Sequence, residues 1–170
     1  MLMFENLCGN CNHKNCCTDS AVPLVFSNDL QKIMKTEPVP EKYIQTKKIN
    51  GKNIDTLKKK DNSIECVFWN AETSGCSIYE SRPIDCRLYP FDIMYLNNSY
   101  HWIVYSCNEN SDWKWSEKYL EFFESDEGFR ELMKNIDIFT AHTKMILPEE
   151  SKKTPFIILR KINWNDGDVL

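Results

Sequence analysis

Four of the eight cysteines in this chain crowd into ten residues, at Cys8, Cys11, Cys16 and Cys17; the others follow at wide intervals, at Cys66, Cys76, Cys86 and Cys107. An even number raises disulfides first. Three features oppose them. Met1 to Cys8 carries neither a basic region nor an apolar run of signal-peptide length, so the chain is expected in the cytoplasm, where thiols stay reduced. At 170 residues it can bury a core without covalent staples. Neighbours such as Cys16 and Cys17 are poorly placed to pair with one another. Metal ligation explains the spacing better. Cys8-Gly9-Asn10-Cys11 is a CxxC pair, whose two intervening residues let the chain turn so that both sulfurs face one point, with Gly9 supplying a permissive backbone.

Thiolates in sets of four serve tetrahedral zinc and iron–sulfur clusters alike, and ligand type alone does not separate the two. Eight cysteines fill two four-sulfur sites, or one site with the remainder around it. Successive side chains of an extended backbone diverge, so one of Cys16 and Cys17 can face away from a shared site. Among the histidines, His13 lies inside the first cluster and reads more readily as a loop residue than as a ligand, while His101 and His142 read as structural.

Hydrophobic residues make up 42% of the chain and aromatic ones 12%, enough for a single domain over residues 1–170 whose core does not depend on metal. The formal charge is −4, and no Lys/Arg patch is interleaved with aromatics. Nucleic-acid binding therefore has no electrostatic footprint, and Lys58-Lys59-Lys60 reads as a solvated turn. No run approaches the roughly 18 apolar residues of a membrane span.

Local patterns predict an α+β architecture of small β-hairpins and cysteine-bearing loops packed against C-terminal helices. Pro23 to Phe26 reads as a short strand, and Ser27, Asn28 or Asp29 then caps a helix through Met34 that Pro38 and Pro40 end. Asn50-Gly51 between two β-compatible runs predicts a hairpin. Ile64 to Trp69 with Cys76 to Tyr79 predicts a second, and Phe91 to Leu96 with Tyr100 to Tyr105 a third. Over about 111–147 the pattern turns helical, with Trp115, Tyr119, Phe122 and Phe123 at three- and four-residue steps. Gly128 is expected to interrupt it, and a second helix to run from Phe129 to Lys144 with Leu132, Met133, Ile136 and Phe139 on one face. Pro148 ends the helical part, Phe156 to Leu159 predicts a last strand, and Asn165 to Asp168 a turn. The later helices carry no cysteine, so the site is expected on loops and hairpin ends of the first two thirds.

The stretch Cys76-Ser77-Ile78-Tyr79-Glu80-Ser81-Arg82-Pro83-Ile84-Asp85-Cys86-Arg87-Leu88-Tyr89-Pro90-Phe91 carries a recognisable pattern. With Cys66-Val67-Phe68 before it and Cys107 after it, it resembles the YkgJ-type cysteine-cluster family, known as the CxxCxxCC zinc- or iron-chelating domain. The resemblance covers roughly residues 8–107. The knot here, Cys8-x2-Cys11-x4-Cys16-Cys17, has a longer second gap than the family's name implies. The resemblance implies that Cys8, Cys11, Cys16, Cys17, Cys66, Cys76, Cys86 and Cys107 are all metal ligands. Flagellin lysine N-methylases contain a similar cluster, which makes protein modification an implied activity, yet residues 108–170 show no glycine-rich nucleotide signature. Within the pattern, Arg82 and Arg87 are read as cofactor-site residues that offset the negative charge of four thiolates, against an ordinary ion pair with Glu80 or Asp85. Pro83 fixes the turn before Cys86. Tyr79, Tyr89 and Phe91 are expected to wall the site from water.

The expected cofactor is a [4Fe–4S] cluster, one or two per chain, with Zn²⁺ as the alternative. The first reading gives a redox or accessory role in modifying a protein or small molecule, served by a protein partner or redox donor. The second gives a structural or interaction protein without catalysis. No reaction is assignable from the sequence: there is no GxSxG elbow, and no Cys–His pair stands apart from the metal set.

Overall fold

Two asparagine-led turns frame the structure. Asn50 and Gly51 have φ of +48° and +79°, and Asn97 and Asn98 +48° and +61°, the left-handed conformation that these residues tolerate best. Two such residues in succession make the tight turn whose twist matches that of paired strands. A computed structural model of the chain describes residues 17, 22–105, 113–114, 116–146 and 156–164. Cys8, Cys11, His13, Cys16, Cys107, Trp115, Pro148 and the turn expected at 165–168 lie outside them.

The first turn joins β2 (Ile44–Ile49) to β3 (Lys52–Leu57), and β1 (Leu24–Val25) pairs with the other edge of β3. Between β1 and β2 lies helix α1 (Ser27–Met34). The second turn joins β6 (Phe91–Leu96) to β7 (Ser99–Tyr105), and β8 (Phe156–Lys161) adds to the far side of β7. A two-stranded piece, β4 (Trp69–Asn70) with β5 (Gly75–Cys76), and a five-residue helix, α2 (Ile84–Leu88), lie between the two larger sheets in sequence. Helices α3 (Ser116–Ser125), α4 (Glu127–Lys134) and α5 (Ile136–Ile146) follow. All pairings are antiparallel, and the fold is α+β as expected. Among the described residues, no helix is long and apolar enough to cross a membrane.

Four local readings are corrected. The second hairpin is much shorter than expected, and Cys66 stands outside it, bridged to Lys59. Lys58 to Lys60 is consequently not a solvated turn. Its backbone runs beside the cysteine segment, with Val67 N–H donating to the Lys58 carbonyl at 3.1 Å and Lys60 N–H to that of Glu65 at 2.9 Å. The single helix expected from Phe129 to Lys144 is two, parted at Asn135, whose side-chain amide donates to the Glu131 carbonyl and competes with helical continuation. Gly128 does not interrupt: it sits in the first turn of α4, where its N–H donates to the capping carboxylate of Asp126 at 2.7 Å.

The apolar side chains form two clusters. The larger packs Trp102, Phe91 and Val104 of the β6–β7–β8 sheet against Leu120, Phe123, Phe129, Leu132 and Ile138 of the helices, with Trp102 stacked on Phe129 at 5.1 Å. Phe122 does not join it and is 56% exposed. The smaller gathers Val25, Ile33, Tyr43, Leu57, Phe68 and Ile78 around buried Cys66, with Cys17, Cys76 and Cys86 packed on its flank. His142 is buried, its Nε2 2.6 Å from the Val22 carbonyl, and the His101 ring lies 3.2 Å from the Ser99 carbonyl; both serve the fold.

Candidate metal centre

Cys17, Cys66, Cys76 and Cys86 come from four separate segments and line one cavity. Backbone hydrogen bonds explain how they meet. Cys66 N–H donates to the Cys17 carbonyl at 2.7 Å, so the knot and the middle segment are held together at the cysteines themselves. The Cys66 carbonyl accepts Trp69 N–H at 2.9 Å, closing a tight turn that delivers the chain into β4. Trp69 is the register partner of Cys76, which brings the β5 cysteine back beside Cys66. The connecting loop is fixed by Asn70, whose side-chain oxygen accepts the N–H groups of Glu72 and Thr73 at 2.9 and 3.2 Å.

Cys86 arrives on a helix, contrary to the expectation of loops and hairpin ends. Pro83 occupies the position before that helix, where a missing N–H costs nothing, and Arg87 N–H donates to its carbonyl at 3.0 Å. Helical geometry then distributes the motif. Ile84 and Leu88, four apart, are buried in the larger cluster. Cys86, two residues on from Ile84, is rotated by roughly 200° and reaches the cavity and the smaller cluster. Asp85 accepts Leu24 N–H at 2.8 Å, and Arg87 turns to the C-terminal helices. Asp29, wholly buried in α1, accepts Ile84 N–H at 3.0 Å and Phe26 N–H at 3.2 Å. Strand β1 and helix α1 are thus each tied to the short helix that presents Cys86.

Burial dominates both carboxyls. It pushes Asp29 up to about 6 against the pull of its two backbone donors, and Asp85 up to about 7, with Asp92 and Asp29 adding to the effect.

The cavity wall is aliphatic: Pro23, Leu57, Ile78 and Pro83 complete it, with Arg82 as its charged member. The expected aromatic wall is not there. Tyr79 is 57% exposed and Tyr89 39%, while Phe91 is buried in the larger cluster against Tyr119. The two arginines also part company. The Arg82 guanidinium lies 3.6 Å over the Tyr79 ring and its Nε donates to the Tyr79 carbonyl at 2.9 Å. Arg87 does not line the cavity. It makes a two-pronged pair with Asp126, at 2.9 and 3.1 Å, and is partnered by neither Glu80 nor Asp85. Burial raises the Asp126 carboxyl, but the Arg87 bonds and charge outweigh it and hold the group below its ordinary value.

Among the described residues, no three Cys, His, Asp or Glu side chains close on one point as tightly as a single ion requires. A tetrahedral zinc site needs sulfurs about 2.3 Å from the ion, hence roughly 3.8 Å from each other. Among the described residues, the four cysteines share the cavity without forming such a set.

A family model described as "CxxCxxCC: Putative zinc- or iron-chelating domain" matches residues 7–113. The chain belongs to this family. The CxxCxxCC match covers all eight cysteines, including the four outside the described residues. A curated relative, the uncharacterised protein MJ0661 of Methanocaldococcus jannaschii, is 26% identical over 129 residues, which is 68% of this chain and 70% of that protein. No solved structure matches. Membership of a zinc- or iron-chelating family supports metal binding, and the cavity is where the described cysteines converge.

Proposed function

We propose that Cys17, Cys66, Cys76 and Cys86 hold one [4Fe–4S] cluster, and that the protein serves in the cytoplasm in a redox or accessory role during modification of a protein or small molecule. The observation that carries this reading is four cysteines from four separate segments on one aliphatic-walled cavity, the number of thiolates that a cubane takes. When bound, such a cluster supplies one-electron chemistry whose potential follows net charge, hydrogen bonding and solvent access. The chain governs each of these. Pro23, Leu57, Ile78 and Pro83 limit water, and Arg82 sets a positive charge beside four thiolates. Cys8, Cys11, Cys16 and Cys107 are the complement of a second four-sulfur site.

Structural zinc is the second reading. It is favoured by the brevity of β4, β5 and α2, which a metal crosslink would stabilise directly. Anaerobic purification followed by an absorption spectrum and iron, zinc and sulfide analysis decides between them. A band near ~400 nm with iron and acid-labile sulfide supports the cluster, the thiolate-held chemistry of such centres. A colourless protein with stoichiometric zinc and no sulfide sinks it.

A further inference from the structure

We propose that Asp29 and Glu131 are positioning residues of the metal centre, acting on Cys86 through a closed ring of three helix ends. The proposal rests on the reading of Cys86 as a ligand. Helix α2, which carries Cys86, has five residues and cannot persist on its own propensity. The first amides of any helix lack partners within it, so whatever accepts them fixes where the helix begins.

A carboxylate makes each joint of the ring. Glu131 of α4 accepts the first two amides of α1, Ser27 and Asn28, with one oxygen each, at 2.9 and 3.0 Å. Asp29, in the first turn of α1, accepts Phe26 N–H on Oδ2 at 3.2 Å. Its Oδ1 accepts the Ile84 N–H that opens α2, at 3.0 Å. Arg87 of α2 returns to α4 through its two-pronged pair with Asp126, the residue that caps α4 at Gly128. This last joint is tight: a Cβ at Gly128 would stand 2.9 Å from Asp126 Oδ1 and 3.2 Å from Arg87 Nη2. Cys86 lies between Ile84 and Arg87, so the ring holds its turn on both sides. Asp29 has no exposure, and a buried carboxyl is costly unless its oxygens are bonded. Capping α1 needs only one of them; the other serves the cysteine-bearing helix. Neither Asp29 nor Glu131 lines the cavity, so both act through that helix.

The test follows two quantities on the full-length chain as purified anaerobically. One is the rate at which its native metal passes to a chelator. The other is alkylation of Cys86 relative to Cys66 by iodoacetamide, read by mass spectrometry. Asp29→Asn keeps the side-chain volume but leaves one oxygen for two amides. It should speed metal release about tenfold, the scale for groups that orient ligands, and raise the Cys86 ratio severalfold. Glu131→Gln should move both quantities the same way by less. Because Glu131 acts through Asp29, the double variant should match Asp29→Asn, not multiply the two effects. Ile103→Val, a core change in β7 outside the ring, should leave the Cys86 ratio unchanged. An unchanged ratio in Asp29→Asn, multiplied effects in the double variant, or an equal response in Ile103→Val overturns the proposal. Should Asp29→Asn fail to fold, Glu131→Gln, at a half-buried position, decides by the same two measurements. A wild type that holds no metal would sink the ligand reading of Cys86, while the alkylation ratio still judges the ring.

Discussion

Asp85 accepts the amide hydrogen of Leu24 at 2.8 Å, across 61 residues of chain. Each lies next to a residue that lines the cavity, Cys86 on one side and Pro23 on the other, so this bond sets the distance between two walls of the site. Asp85→Ala leaves the Leu24 N–H, in a residue with no exposure, without its acceptor. The expected cost is about 1–3 kcal/mol of stability and about tenfold in metal affinity, as for groups that position ligands. Denaturant titration and chelator competition measure the two. Unchanged affinity would show that the bond serves the fold alone.

The two arginines of the motif should separate cleanly. Arg87→Met removes one partner of a largely buried pair whose other member also caps α4, and should cost about 3 kcal/mol or more. The visible spectrum of the metal-loaded protein should not change. Arg82→Gln should do the reverse: little loss of stability, since its partner is an exposed ring and a carbonyl, with a lower reduction potential from the lost positive charge. Potentiometry alongside thermal melts checks both, and a shifted potential in Arg87→Met would contradict this division.

Sequence made the turn chemistry and the metal chemistry readable because both are local. Asn50-Gly51 and Asn97-Asn98 demand left-handed backbone, and each of the two long hairpins appeared where expected. The cysteine pattern announced ligation for the same reason. What escaped depends on distant partners. Helix α2, caught between Pro83 and Pro90, is too short to stand on propensity and is held by Asp29 from α1 and by Leu24 from β1. Arg87 finds Asp126 39 residues on, which no local reading of the motif could supply. The aromatic wall failed because Tyr79, Tyr89 and Phe91 are neighbours in sequence but leave the motif in different directions. A signal for α2 was nevertheless present: Pro83 at a helix start, with Ile84 and Leu88 four apart.

Acidity should act through Asp29. Its carboxyl rises from the ordinary 3.8 to about 6 in the folded chain, so ionising it costs more folded than unfolded. The stability it lends is complete below about pH 3.8 and is lost as pH climbs through about 6. His142 acts oppositely: burial holds its ring below the ordinary 6.5, so it withdraws stability as pH falls. The stability of wild type minus that of Asp29→Asn removes the histidine and the metal from the comparison. This difference should fall by about 2 kcal/mol between pH 4 and pH 7, followed by urea denaturation at each pH. A flat difference would mean that Asp29 is not buried as described.

The most direct test leaves only the four converging cysteines. Cys8, Cys11, Cys16 and Cys107 are replaced together by serine, the protein is reconstituted anaerobically with iron and sulfide, and iron, sulfide, zinc and the absorption spectrum are measured on one sample. If Cys17, Cys66, Cys76 and Cys86 make one cluster site, the chain retains about four irons and four sulfides with a brown chromophore, as a cubane held by four thiolates requires. A colourless product, or one that binds a single zinc and no sulfide, would contradict it.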